Sequence, residues 1–182
     1  MSLKIVLVFA VALMSAPLVH AAEFDQSKFE SVLPSEYFNM LRDAAVAYGA
    51  KDYDKAFRLF QRTACAGDKQ SQSALGRMYL LGQGTKRDDL TGYAWLKIAA
   101  EFIFPKYQSV VRGLEQAMTP EQRKIADAKA AELIARYSIG ETNMSCNLSA
   151  SKGGHIMDQI TCTPQYQGRL MMLKRCEAPA AD

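Results

Sequence analysis

The sequence predicts a mainly α-helical fold: a short α/α solenoid of two and a half helical hairpins, followed by a small disulfide-linked antiparallel β piece. Apolar and small residues recur at steps of three and four through the middle of the chain, and this spacing marks one buried face on each helix. Part of the pattern returns after 36 residues, which is typical of stacked helical hairpins. From Gly140 onward the helical period is lost.

A helical hairpin is predicted over Lys69 to Ala100. Gly82 and Gly84 allow the positive φ that ends a helix and turns the chain, and Asp88 or Asp89 is a suitable N-cap for the second helix. Gly76 leaves room for a neighbouring helix because it carries no side chain. We therefore expect two helices that approach each other closely across a short turn.

Ten positions of this hairpin carry a family resemblance. They are Gln72, Leu75, Gly76, Tyr79, Gly82, Gly84, Asp88, Trp95, Ala99 and Ala100. In these positions the stretch resembles a Sel1-like repeat, a relative of the tetratricopeptide hairpin, and Ser71, Thr85 and Gly92 depart from the pattern only mildly. The resemblance implies a secreted or periplasmic array that binds other proteins, and it implies no reaction. Trp95 and Tyr79 are the large side chains expected inside its core.

The helices on either side extend the array to six. The segment at 52–68 keeps the 36-residue register with the main hairpin, so it predicts part of a weaker first hairpin. The remaining predicted elements are an irregular lead-in at 23–34 and helices at 36–48, capped by Ser35, at 106–118, and at 120–137, capped by Thr119. The side chains expected on their inward faces are Phe38, Leu41, Ala45, Tyr48, Val110, Val111, Leu114, Met118, Ile125, Ala128, Leu133, Ile134 and Tyr137.

The C-terminal piece contains three of the four cysteines. Its strands are predicted at 144–149, 156–163 and 169–176 because short apolar runs are separated there by turn residues. An even number of cysteines behind a secretory signal favours disulfides, and four cysteines allow three connectivities. Placing Cys146 opposite Cys162 centres a hairpin on Gly154, which suggests this pair and leaves Cys65 to pair with Cys176.

The N-terminus has the pattern of a cleavable secretory signal. Lys4 precedes an apolar run that is shorter than the ~20 residues of a membrane span, and a small-x-small sequence predicts a cut after Ala21. We therefore expect a periplasmic or secreted protein without stable membrane insertion. The predicted division is a signal at 1–21, a helical repeat domain at 22–138, a β-rich cysteine-containing segment at 139–177 and a disordered tail at 178–182.

Composition and motifs do not point to an enzyme. Removing the signal lowers the formal net charge only from +3 to +2, and no basic stripe indicates nucleic acid. His155 is the single histidine after the predicted cut, so neither a catalytic base nor a zinc site is well supported. The glycine-rich turn at 82–84 belongs to the repeat rather than to a phosphate loop. We expect no catalytic residue, cofactor or metal.

The predicted function is a non-enzymatic adaptor or scaffold that binds a peptide or a partner protein. In related arrays the first helix of each hairpin lines the concave face, which here offers as partner-binding candidates Met40, Arg42, Ser73, Arg77 and Leu81. One alternative is a cell-envelope hydrolase or peptidoglycan-binding protein, which would need His155 in a pocket near a carboxylate or hydroxyl. Another is a small inhibitor or regulatory subunit that binds through an exposed strand edge at 169–174. The partner and the oligomeric state stay open.

Overall fold

The computed structural model describes residues 25–150 and 157–177. The signal and the tail, with His155 and the turn at Gly154, lie outside these residues. In chain order the described elements are β1 (Phe29–Val32), α1 (Pro34–Gly49), α2 (Tyr53–Cys65), α3 (Lys69–Leu81), α4 (Asp89–Ala99), α5 (Pro105–Ala117), α6 (Pro120–Tyr137), the one-turn helix α7 (Ile139–Thr142), β2 (Met144–Ala150), β3 (Met157–Pro164), β4 (Tyr166–Gln167) and β5 (Leu170–Lys174). The mainly α fold with a small antiparallel β piece is confirmed.

Local capping sets where the helices begin. The Asp88 carboxylate accepts a hydrogen bond from the Thr91 N–H at 3.0 Å, so Asp88 rather than Asp89 caps α4. Thr119 and Gln122 form the predicted reciprocal capping box of α6. Helix α1 differs from the prediction, because Leu33 rather than Ser35 is its N-cap and Pro34 occupies its first turn.

The buried faces of the outer helices are rotated relative to the prediction. Helix α1 buries Tyr37, Met40, Ala44 and Ala47, whereas Phe38 and Ala45 stay exposed. On α5 and α6, Val110, Ile125 and Ala128 are exposed, while Val111, Leu133 and Tyr137 are buried as expected. The physical reason is that α1 packs against both α2 and the C-terminal strands. The residues that these neighbours bury are therefore not the ones that form the apolar stripe predicted from the sequence.

Helices α3 and α4 meet through glycine, and they form the centre of the core. A Cβ at Gly76 would lie 2.8 Å from the Gly92 carbonyl oxygen, and a Cβ at Gly92 would lie 2.8 Å from the Leu80 side chain. Trp95 is buried, and its ring stacks on Tyr137 of α6 with centroids 5.3 Å apart. Tyr79 is half-buried and makes an edge contact with Phe57 of α2. The central hairpin therefore packs against both of its neighbours.

The C-terminal strands form two separate sheets, and one of these sheets includes the lead-in. Strand β5 pairs with β1 on one side and with β4 on the other, whereas β2 and β3 form a hairpin of their own. The predicted irregular lead-in is therefore wrong at Phe29–Val32, where a four-residue strand forms. Because β5 is covered on both faces, Met171, Met172 and Leu173 are all buried.

Two disulfides connect these strands to each other and to the repeats. Cys65 at the end of α2 pairs with Cys176 just after β5, and Cys146 of β2 pairs with Cys162 of β3. The first bond closes a sequence separation of 111 residues and the second a separation of 16. No helix among the described residues has the length and apolarity needed to cross a membrane.

Replacing Gly76 by alanine is expected to lower the free energy of unfolding by ~1–3 kcal/mol, because the added methyl group meets backbone of α4 that cannot move independently. Urea unfolding followed by circular dichroism measures the change. Gly113→Ala is the matched control, since nothing lies within 4 Å of a Cβ at that position of α5. It should stabilise the helix by ~0.5–1 kcal/mol, and equal effects of the two substitutions would contradict the close contact.

Removing the Cys65–Cys176 bond by double alanine substitution is expected to cost about 4–5 kcal/mol of stability, against about 3 kcal/mol for Cys146–Cys162. The chain-entropy account gives this order because the longer closed loop restricts the unfolded chain more. Equilibrium unfolding in urea under non-reducing conditions compares the two variants. A smaller loss for the Cys65–Cys176 pair would show that the bond does not stabilise the fold through loop closure.

Candidate functional site

A groove of about 640 Å³ opens on the side of the array formed by the first helix of each hairpin. Helices α1, α3 and α5 line it together with one residue of α2, and strand β3 closes one side. The lining residues are Phe38, Leu41, Ala45, Phe60, Asp68, Gln70, Ser71, Ser73, Ala74, Arg77, Phe104, Lys106, Tyr107, Gln159, Ile160, Thr161 and Cys162. Its volume lies within the roughly 300–1,000 Å³ that is usual for ligand pockets.

The lining of the groove combines polar and apolar surface in similar measure. Phe38 of α1 leaves 47% of its surface exposed, although it is a large aromatic side chain. Across the groove, Phe104 and Tyr107 pack edge to face with ring centroids 5.1 Å apart. Exposed aromatic surface inside a concavity offers a place for a partner's apolar side chain.

Strand β3 is held against the repeats by hydrogen bonds from two helices. The Gln70 amide of α3 donates to the Ile160 carbonyl at 2.6 Å, and the Tyr37 hydroxyl of α1 donates to the Cys162 carbonyl at 3.2 Å. These bonds occupy backbone acceptors of β3. The hairpin of β2 and β3 is thus a fixed wall of the groove and leaves the rest of it open.

Three charged residues line the groove, and they differ in accessibility. Asp68 is buried, and its carboxylate accepts a hydrogen bond from the Ser71 N–H at 2.7 Å as the N-cap of α3. Arg77 and Lys106 are exposed, and neither takes part in an ion pair with another residue of the described chain. The accessible charge of the groove is therefore positive.

Burial shifts the pKa values at the groove floor. Burial raises the pKa of Asp68 above the ordinary value for an aspartate, and hydrogen bonds from Ser71 and the charge of Lys69 oppose the rise only in part. Burial and the nearby Asp68 raise the pKa of Tyr107 to about 12, with Arg77 acting in the opposite direction. The Tyr107 hydroxyl is therefore protonated at neutral pH and able to donate a hydrogen bond.

The structure brings two of the five predicted partner-binding residues into this groove. Ser73 and Arg77 lie in its lining, one turn apart on α3. Met40 is buried beneath α1, while Arg42 is exposed outside the lining and forms an ion pair with Asp43 at 3.1 Å. Leu81 is 62% exposed at the end of α3, also outside the lining.

Sequence reasoning did not place the aromatic residues of the groove in a site, and it assigned Phe38 to the core. Phe38 carried a weak signal for a surface site. It belongs to an apolar stripe of α1, and the neighbours of that helix do not bury the whole stripe. Phe104 carried another, since it replaces a polar linker residue just before Pro105. The contribution of β3 had no local signal, because it depends on contacts between residues far apart in sequence.

The features needed by the two alternative functions receive no support from the described residues. Strand β5 is the central strand of its sheet, so the edge expected at 169–174 is paired with β1 and β4. His155 lies outside the described part of the chain. Within that part, no group of three His, Cys, Asp or Glu side chains could hold a metal ion.

The fold is an α/α repeat array, and the groove is a concavity on one side of it. The Sel1 repeat family matches residues 44–68 and 69–101. These two stretches, which include α2, α3 and α4, are therefore Sel1 repeats. Proteins built from such repeats are generally scaffolds for protein–protein interaction rather than catalysts.

Among solved structures, the chain is similar to a protective antigen present in uropathogenic Escherichia coli strains that displays an SLR fold. The sequence identity is 23% and the TM-score is 0.44, with 50% of this chain and 20% of that chain covered. The chain thus spans about a fifth of the length of that protein. No curated protein matches the chain.

Replacing Asp68 by asparagine should make the protein relatively more stable as pH rises. A carboxyl whose folded pKa is raised contributes stability below its unfolded value of 3.8, and this contribution is lost as pH rises through the folded pKa. Asparagine still caps the helix but carries no charge. Urea unfolding of both proteins between about pH 4 and about pH 7 measures the difference.

Asp88→Asn is the matched control at the N-cap of α4. Burial acts to raise the pKa of Asp88, but hydrogen bonds from Thr91 outweigh it and the pKa is lowered. The stability that this substitution removes is therefore present above pH 3.8 and is lost as pH falls through the lowered pKa, so its cost should stay nearly constant between about pH 5 and about pH 7. The same pH trend in both variants would contradict the burial of Asp68 as the cause.

Proposed function

We propose that this protein is a non-enzymatic adaptor of the bacterial periplasm or secreted fraction, and that it binds an extended peptide segment of a partner protein in the groove between α1, α3, α5 and β3. The observation that carries the proposal is the groove itself. It is concave, the aromatic side chain of Phe38 is exposed in its wall, and helices and a strand position it.

The construction of the groove supports binding rather than catalysis. Among the described lining residues, the buried carboxylate of Asp68 is used as a helix cap, and the hydroxyl of Tyr107 is protonated because burial raises its pKa to about 12. Aromatic and aliphatic side chains beside a few polar donors are instead what side-chain recognition uses.

Two disulfides support a location outside the cytoplasm. Bonds of this kind persist in oxidising compartments such as the bacterial periplasm and are rare in reducing ones. This agrees with the secretory signal proposed for residues 1–21, with the cut after Ala21. The protein that reaches its partner would then be the chain from Ala22 to Asp182.

Selection of a displayed peptide library on this mature chain tests the proposal, followed by fluorescence anisotropy with the enriched peptides. Phe38→Ala should weaken their binding about tenfold or more, because it removes exposed aromatic surface from the groove wall. Val46→Ala is the control, since Val46 lies on the same helix, is 65% exposed and is outside the lining. Peptides that bind both variants equally, or the absence of any enriched peptide, would overturn the proposal.

A further inference from the structure

We infer that the groove selects acidic segments, in which Asp or Glu side chains flank a large apolar residue. This inference rests on the proposed function, because it specifies the chemistry of the peptide that the same groove would hold. It is carried by the distribution of charge and apolar surface among the lining residues.

The accessible formal charges of the lining come from two different helices. Arg77 projects from the third turn of α3, whereas Lys106 lies in the first turn of α5. Elsewhere in the described chain, several basic side chains form ion pairs with neighbouring elements. Arg62 of α2, for example, lies 2.8 Å from the Glu30 carboxylate of β1. Arg77 and Lys106 have no such partner in the described chain, so a ligand can supply the carboxylates.

The negative charge of the lining is buried and used for helix capping, so a ligand reaches it less readily than it reaches Arg77 and Lys106. Asp68 is 4% exposed, and its carboxylate faces the N-terminal turn of α3, where the Ser71 N–H binds it. Its raised pKa shows that its surroundings disfavour the ionised form. The groove therefore presents cationic and hydroxyl donors, including the protonated Tyr107, to whatever enters it.

The apolar walls define the second half of the specificity. Phe38 and Leu41 of α1 line the same groove as Phe104 and Tyr107, so a side chain that enters it can contact aromatic and aliphatic carbon. A small free anion would leave this surface in contact with water. A neutral apolar peptide would leave Arg77 and Lys106 unpaired, which favours a segment that carries both kinds of group.

Two cations on different helices favour carboxylate side chains over a single chain terminus. A C-terminal carboxylate supplies one anionic group at one point, whereas an acidic segment presents several along its length. Electrostatic pairing of this kind also makes binding sensitive to ionic strength, because the partners stay partly solvated at the rim. Salt dependence therefore provides a readout that apolar packing alone would not give.

The experiment uses blocked peptides of one common sequence with a central phenylalanine that is flanked by Glu, by Gln or by Lys. Their affinities for the mature protein are measured by fluorescence anisotropy at low and at high salt. We expect the Glu peptide to bind at least tenfold more tightly than the Gln peptide at low salt, and the difference to shrink at high salt. The Lys peptide should bind most weakly.

Arg77→Glu should reduce binding of the Glu peptide at least tenfold and should improve binding of the Lys peptide. Arg58→Glu is the matched control, because Arg58 is also exposed and outside the lining, and no ion pair holds it in the described chain. It should leave both affinities unchanged. A Gln peptide with a free C-terminus that binds as tightly as the blocked Glu peptide would overturn the inference by making the chain end the recognised carboxylate.

The outcomes separate this inference from the proposed function. If all three peptides bind equally, and Phe38→Ala still weakens them, the groove binds peptides but does not select acidic ones. If no peptide binds in a manner that depends on Phe38 or Arg77, the groove is not a peptide site and both proposals fail. If Arg58→Glu weakens the Glu peptide as much as Arg77→Glu does, the attraction comes from overall charge and the inference is overturned.

Discussion

The buried side chains of Lys69 and Gln72 join the ends of four helices at one point. The Lys69 ammonium donates to Gln72, to the Ile98 carbonyl of α4 and to Glu101, at 3.0, 3.2 and 3.1 Å. The Gln72 amide donates to the Ala64 carbonyl of α2 at 3.1 Å and to the Tyr137 carbonyl of α6 at 3.0 Å. Removing one partner from such a network leaves a buried polar group unsatisfied, which is costly.

The groove depends on this network because both are built on the first turns of α3. Asp68 begins that helix at the groove floor, and Ser73 and Arg77 follow on the face opposite the glycine contact with α4. Once Lys69 and Gln72 fix the N-terminus of α3, the positions of the lining residues along it follow from helix geometry. The same helix therefore carries the core on one side and the candidate site on the other.

The C-terminal strands complete the site from a distance in sequence. The long disulfide brings Cys176 to the end of α2, and Lys174 is buried where its ammonium donates to the Arg136 carbonyl at 2.5 Å. The β2–β3 hairpin is held separately, through Gln70 and Tyr37, and forms a wall. Strand β3 thereby closes one side of the concave face of the repeats, and the result is a groove between helices and a strand.

Sequence reasoning succeeded where the signal was local. Helix period, the N-caps at Asp88 and Thr119, and the positive φ at Gly82 depend on residues a few positions apart, and the structure has them at the expected places. It failed for β1, because a polar four-residue strand acquires its identity only by pairing with β5. It also misjudged α1, where the apolar stripe at Phe38 was taken for core.

The sequence by itself determined that this protein is a helical repeat with two Sel1 hairpins and a cysteine-linked β segment, because periodicity, caps and turn glycines are written within each hairpin. Only the tertiary structure decided which apolar residues are exposed and what they face. That decision required β3, α5 and α1 to meet, and their contacts join residues that lie far apart in the chain. No spacing within a single helix can encode such a meeting, since burial is a property of the neighbours as well as of the residue.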